Sequence, residues 1–264
     1  MDNKKSLSIR NILTYADSTE GKKYIEKHLH RYRETVKLIP KKGRLSVLDI
    51  GTFIPLAFFL KKITKHKYTY HGIWKGEKKK KIKFKNQIFE LYNFDAEKDK
   101  YPFSDRSFDL VICCEVLEHL GLDPMSMIGE CNRILKHNGV LLLTTPNATS
   151  LRNVLKILLG YSPYFYPSFT LSTDRHNREY APREIEHLLM EGGFRVEKMF
   201  TKDVYFPEKL KFNGVKILIK SILRGMQLFS KFRGDCIFVI AKKIGGIKNR
   251  YPVEFYDNID HRNS

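Results

Sequence analysis

Two short stretches of this chain gather side chains that can move protons or grip charge. Glu115-Val116-Leu117-Glu118-His119 follows directly on the apolar run Phe108 to Cys114, and Asp174-Arg175-His176-Asn177-Arg178-Glu179-Tyr180 leads up to Pro182. A histidine in either stretch can take a proton from a hydroxyl group, and Arg178 can hold a carboxylate or phosphate through paired hydrogen bonds. Plainer roles stand beside these: Glu118 and His119 as an ordinary helix start, and the His176 loop as a hydrogen-bonded lead into the helix that Pro182 opens. A third acidic group, Asp95 with Glu97, lies just after the strand-like run Gln87 to Tyr92, where an exposed turn is the plain alternative. The four cysteines, Cys113, Cys114, Cys131 and Cys236, show no paired metal spacing and read as reduced structural thiols. No metal cluster is evident.

The elements that must position these groups are legible from apolar periodicity. Phe108 to Cys114 is short, broken only by Asp109, and suits a strand covered on both faces. Met127 to Leu135 has helical spacing, stopped by His137-Asn138-Gly139, and Val140 to Leu143 is another buried strand. Strand, helix and strand in that order form a crossover in a parallel sheet, whose ligands sit beyond the carboxyl ends of the strands. Glu115, Val116, Glu118 and His119 therefore fall near a site. Upstream, Lys22 to Leu38 predicts a helix, Leu45 to Ile50 a first strand and Tyr68 to Trp74 a second. Downstream, Pro182 to Met190 predicts a helix closed by Gly192-Gly193, with strands at Phe194 to Phe200 and Cys236 to Ala241.

Asp95 to Asn147 resembles, part by part and in order, the second half of the Rossmann-like domain of class I S-adenosylmethionine-dependent methyltransferases. His176-Asn177-Arg178-Glu179-Tyr180, with Glu184 beyond it, is similar to a stretch in a broad subgroup that modifies small molecules, quinones or glycans. The resemblance implies an α/β fold with a seven-stranded, mostly parallel sheet, helices on both faces and inserted helices. It implies S-adenosylmethionine as cofactor, with Asp95 accepting from the adenine amino group, the Ala96 amide meeting a ring nitrogen, and Glu115 to His119 at the methionine end. Asp49-Ile50-Gly51 falls where this family has its cofactor loop, but only the first glycine is kept, and Phe53 and Pro55 stand at the next two glycine positions. Trp74 occupies the place of the acidic residue that clamps the ribose, with Glu77 close enough to substitute. A modified but working donor site and a non-catalytic scaffold both remain open.

The reading that follows is methyl transfer to a small-molecule, lipid or saccharide acceptor, at oxygen, with His119 or His176 as the base. A nucleic-acid methyltransferase is the rival, motivated by a net charge of +19. Against it, Glu-Val-Leu-Glu replaces the Asn/Asp-Pro-Pro-aromatic motif used on base amino groups, and Thr144-Thr145-Pro146 offers no lysine for ribose hydroxyl chemistry. Part of the charge is a lysine-rich composition spread along the whole chain, and Lys75 to Lys85 is a concentrated patch, read as a solvated loop able to attract nucleic acid, anionic lipid or phosphorylated substrates. The domain spans 45–244 after an N-terminal helical extension, 1–44. Insertions at 151–175 and 203–233 would select the acceptor. The first has an aromatic loop with Tyr164 and Tyr166, for which plain hydrophobic packing is the equal alternative. The second has a basic amphipathic stripe from Val215 to Phe229 that suits a membrane surface, a packed lid or a dimer contact equally. The tail, 245–264, is expected to be poorly ordered. Lacking an apolar span or a signal-peptide core, the chain is expected to be cytoplasmic, with peripheral membrane contact through its basic segments.

Overall fold

The computed structural model describes residues 9–16, 18–163, 176–205 and 232–256. In chain order the elements are α1 (Thr19–Leu38), β1 (Ser46–Ile50), α2 (Ile54–Ile63), β2 (Lys67–Gly72), β3 (Lys79–Phe84), β4 (Gln87–Asn93) and β5 (Phe108–Cys114). They continue with α3 (Pro124–Ile134), β6 (Leu135–Pro146), α4 (Leu151–Leu158), α5 (Pro182–Glu191), β7 (Phe194–Lys202) and β8 (Cys236–Lys243). One sheet runs β3-β4-β2-β1-β5-β6-β8-β7. Its centre, β4-β2-β1-β5-β6, is parallel, and β3, β8 and β7 pair antiparallel to their neighbours.

Alternation along β5 explains why that strand is apolar throughout. Val111 and Cys113 pack with α3 and α5 on one face, while Leu110 and Ile112 pack with α1 and α2 on the other. Helix starts follow local chemistry: Ser18 accepts from the Gly21 amide at 2.9 Å, Asp123 from the Ser126 amide at 3.1 Å, and Glu184 from the Ala181 amide at 2.6 Å. Gly193 ends α5 at φ +81°, where an added Cβ would lie 2.2 Å from the Gly246 carbonyl oxygen.

The sheet has an eighth strand where seven were expected. β3 is the lysine run taken for a loop: Ile82 and Phe84 alternate within it, and Phe84 packs edge-on against Phe58 at 5.5 Å beside Phe89, while Lys79, Lys80, Lys81 and Lys83 are exposed. The tail is also firmer than expected as far as residue 256. Arg250 pairs with Asp123, the Tyr256 hydroxyl donates to the same carboxylate, and the Lys248 amide donates to Glu191 at 2.7 Å. In α1, within the N-terminal helical extension of the sequence reading, Ile25, Tyr32 and Val36 lie in the core against α2 and the sheet.

Candidate active site

At the end of β1 the backbone turns through Gly51 at φ +71°, and a Cβ there would meet Val116 Cγ2 at 2.7 Å. The Gly51 amide donates to His71 Nδ1 at 3.0 Å, and His71 Nε2 lies 2.8 Å from the Phe94 carbonyl. His71 is therefore the neutral Nε2–H tautomer, and burial lowers its pKa. Asp49 is buried behind this turn, and burial pushes its carboxyl up to about 7. Pro55 lies in the first turn of α2, where a missing amide proton costs nothing. Phe53 precedes that helix and stacks on Tyr32 of α1, with centroids 5.5 Å apart and planes at 14°. The two lost glycines thus serve the start of α2 and the docking of α1.

Beyond β4, Asp95 Oδ1 accepts from the amides of Glu97 at 2.9 Å and Lys98 at 3.2 Å, folding the turn that presents Ala96. Glu97, paired with Asp95 in the sequence reading, has a different task. Its buried carboxylate receives the amides of Gly121, Leu122 and Asp123, tying this loop to the start of α3. Glu77 is exposed and lends its carbonyl to Asn93 at 3.1 Å, and Trp74 is half-buried and held by the same asparagine.

Glu115 ends β5 at φ +56°. Thr144 Oγ1 donates to its Oε1 at 3.0 Å, the Tyr205 hydroxyl donates to Oε2, and Arg31 NH1 of α1 lies 3.7 Å away. Burial is the largest single influence and works against the charge on Arg31, but Glu115, Tyr205, Tyr32 and Cys236 together outweigh it and the guanidinium pKa is raised. Tyr205 is placed by Asp235, whose carboxylate accepts the Val204 and Tyr205 amides at 2.8 and 3.2 Å. Sequence reasoning missed Arg31, His71, Thr144 and Tyr205. A signal for Arg31 existed: His28, Arg31 and Thr35 repeat at helical spacing beside the apolar stripe of α1.

The following turn carries Glu118, fully buried and hydrogen-bonded by Thr145 Oγ1 at 3.0 Å; burial, then Glu115, raises its pKa. Its carbonyl accepts the Asn177 and Arg178 amides at 2.7 and 3.2 Å, and Asn177 Nδ2 donates to the His119 carbonyl at 2.6 Å. These bonds bring His176 against His119, with ring centroids 5.1 Å apart. Arg178 is committed elsewhere: it donates to Glu184 at 2.9 Å and lies over the rings of Tyr180 and Phe255. Tyr164, Tyr166 and the stripe from Val215 to Phe229 lie outside the described residues. Among the described residues, no helix is long and apolar enough to cross a membrane.

Residues 57–143 match the family model described as a methyltransferase domain. Over that stretch the chain is similar to S-adenosylmethionine-dependent methyltransferases. A protein of Mycolicibacterium smegmatis named as a probable S-adenosylmethionine-dependent methyltransferase is 34% identical over 96 residues, covering 36% of this chain and 32% of that protein. The ubiquinone biosynthesis O-methyltransferase of Pasteurella multocida is 34% identical over 83 residues, covering 31% of this chain and 33% of its own. The match thus spans about a third of the length of these relatives. The crystal structure of an S-adenosylmethionine-dependent methyltransferase from Archaeoglobus fulgidus shares the fold, with a TM-score of 0.54 at 21% identity over 85% of this chain and 96% of that one. The cyclase SpnF shares it too, with a TM-score of 0.52 at 15% identity over 83% and 82% of the two chains. Likeness to this class implies S-adenosylmethionine as cofactor. The close approach of Gly51 to Val116 fits it, since that approach survives the loss of the later glycines.

Proposed function

We propose that the protein transfers a methyl group from S-adenosylmethionine to a hydroxyl oxygen of a small-molecule, lipid or saccharide acceptor. One observation carries this reading. The turn from Glu115 to His119 touches the Gly51 loop through Val116 and, at its other end, sets His119 against His176. Donor-side and acceptor-side groups are thus joined by five residues of backbone. The names of the Pasteurella and similar relatives support an oxygen acceptor.

When bound, the sulfonium supplies an already activated methyl group, so the protein has mainly to align and to exclude water. Asp95 and the Ala96 amide would hold the adenine, and Gly51 would let the backbone approach the methionine part. His28 Nδ1 and Arg31 Nε are buried without a hydrogen-bond partner among the described residues, and they are at hand for the donor's amino-acid end. His119 and His176 serve the loss of the acceptor's proton. The exposed lysines of β3 present an anion-attracting edge, suited to membrane headgroups more than to nucleic acid, since the motifs of nucleic-acid enzymes are missing.

The competing reading is a scaffold without catalysis, and Phe53 and Pro55 in the donor loop favour it. Ala substitutions at His119 and His176 separate the two. With a hydroxylated acceptor, turnover should fall about 100-fold or more, as for loss of a general acid–base group, at nearly unchanged donor affinity. Parallel losses of thermal stability and turnover would make the pair structural.

A further inference from the structure

Glu118 holds a position that its fold contacts do not explain. One carboxylate oxygen is bound by Thr145, but Oε1 is buried and has no hydrogen-bond partner among the described residues. An unpaired buried carboxyl oxygen is costly, and a smaller apolar side chain would avoid the cost. Here the oxygen faces imidazole: His119 Nε2 lies 4.0 Å from it. One possible ligand atom from each of Glu118, His119 and His176 falls within 4.8 Å of the others.

We propose that Glu118, His119 and His176 bind a divalent transition-metal cation, with a coordination position left open for an oxygen ligand. Two imidazoles and one carboxylate form the donor set used for zinc and for non-haem iron with open positions. Donor atoms around a tetrahedral ion with bonds of about 2.05 Å are roughly 3.3 Å apart. Closing from 4.8 Å calls for movement of the two imidazoles, whose side chains are 31% and 30% exposed.

Three further features suit such a site. His176 Nδ1 lies 3.1 Å from the buried Glu179 carboxylate, the arrangement that orients a metal-binding imidazole and leaves Nε2 to the ion. The bonds from Asn177 and Arg178 to the backbone of Glu118 and His119 fix the two loops together, so the ligands are gathered before any ion arrives. Glu115 is already held by Arg31, Tyr205 and Thr144, which leaves three candidate protein ligands among the described residues. The site stands independently of methyl transfer. Its use rests on the proposed function: His119 and His176 then serve the loss of the acceptor's proton through the ion and not as free bases. An acceptor hydroxyl bound to the cation loses its proton to solvent more readily, and the oxygen attacks the methyl carbon as the carbon–sulfur bond breaks.

The test uses the tag-free full chain, stripped with a chelator and titrated with Zn2+ by calorimetry and with Co2+ by its visible absorption. One ion per chain is expected, with tetrahedral or five-coordinate Co2+ bands. Affinity should fall by at least the 10–100-fold that loss of an outer partner costs in Glu118→Gln, His119→Ala and His176→Ala. His176 is partly exposed, so its variant stays informative if the Glu118 variant fails to fold. Equal affinities in wild type and His176→Ala, or no ion bound, overturn the site. Metal binding without methyl transfer leaves the site standing and sinks the proposed reaction instead.

Discussion

Replacing Arg31 with Met should be among the most destabilising single changes in the domain that leave the sheet untouched. The Arg31 and Glu115 side chains are only 7% and 15% exposed and lie 3.7 Å apart. At that distance, and at an effective dielectric near 20, their attraction is about 4 kcal/mol before desolvation is counted. Removing one member of a buried pair typically costs about 3–5 kcal/mol, because the other is left uncompensated. Thr144 and Tyr205 still hydrogen-bond Glu115, so the lower end, about 3 kcal/mol, is expected here. For a domain of this size that corresponds to a fall in Tm of roughly 6–12 °C. Glu115→Gln removes the stranded charge, so the double variant should lose about 1.5–3 kcal/mol less than the sum of the singles. Urea unfolding of the four proteins, without donor, closes the cycle. Additive losses within about 0.5 kcal/mol would refute the coupling and leave α1 docked by its apolar face alone.

Three other outcomes follow from the same geometry. Asp95→Ala should weaken donor binding by about 1.5–3 kcal/mol, and unchanged affinity in calorimetry would remove Asp95 from the site. Burial, then Arg31 and Lys27, lowers the pKa of His28 from 6.5 to about 4; the neutral form is the native one, so stability is full above pH 6.5 and is lost as pH falls towards 4. His28→Gln should lack that loss, and parallel stability curves for the two proteins would contradict the assignment. Glu substitutions at Lys79, Lys81 and Lys83 should reduce co-sedimentation with anionic vesicles, which should itself weaken with salt as exposed charges are screened over about 10 Å at 0.1 M; no vesicle binding by the parent at low salt ends the membrane reading, and tight RNA binding turns it towards nucleic acid.

The central crossover was legible because its signals are local. Phe108 to Cys114 is apolar on both faces and the helix after it has its own cap, so β5 and α3 lie close to where the sequence places them. β6, by contrast, already begins at Leu135 and takes in His137-Asn138-Gly139, read in sequence as the helix stop. β3 was not, because lysines on its exposed positions hide the alternation of Ile82 and Phe84. Pro55 reads in sequence as a lost glycine and in space as the opening of a helix. Proximity in space accounts for the rest. The Arg31–Glu115 pair and the grouping of Glu118 with His176 join residues far apart in the chain, and no periodicity reports such contacts.

Whether the altered loop still holds the donor decides the account. Calorimetric titration of the full chain with S-adenosylhomocysteine should show one site. Gly51→Ala should bind at least tenfold more weakly, since a left-handed alanine costs about 1–2 kcal/mol and its Cβ would press on Val116 at 2.7 Å. Heat of binding in the parent, lost in that variant, is the predicted result. An absence of binding in the parent, or equal binding in both, would contradict it.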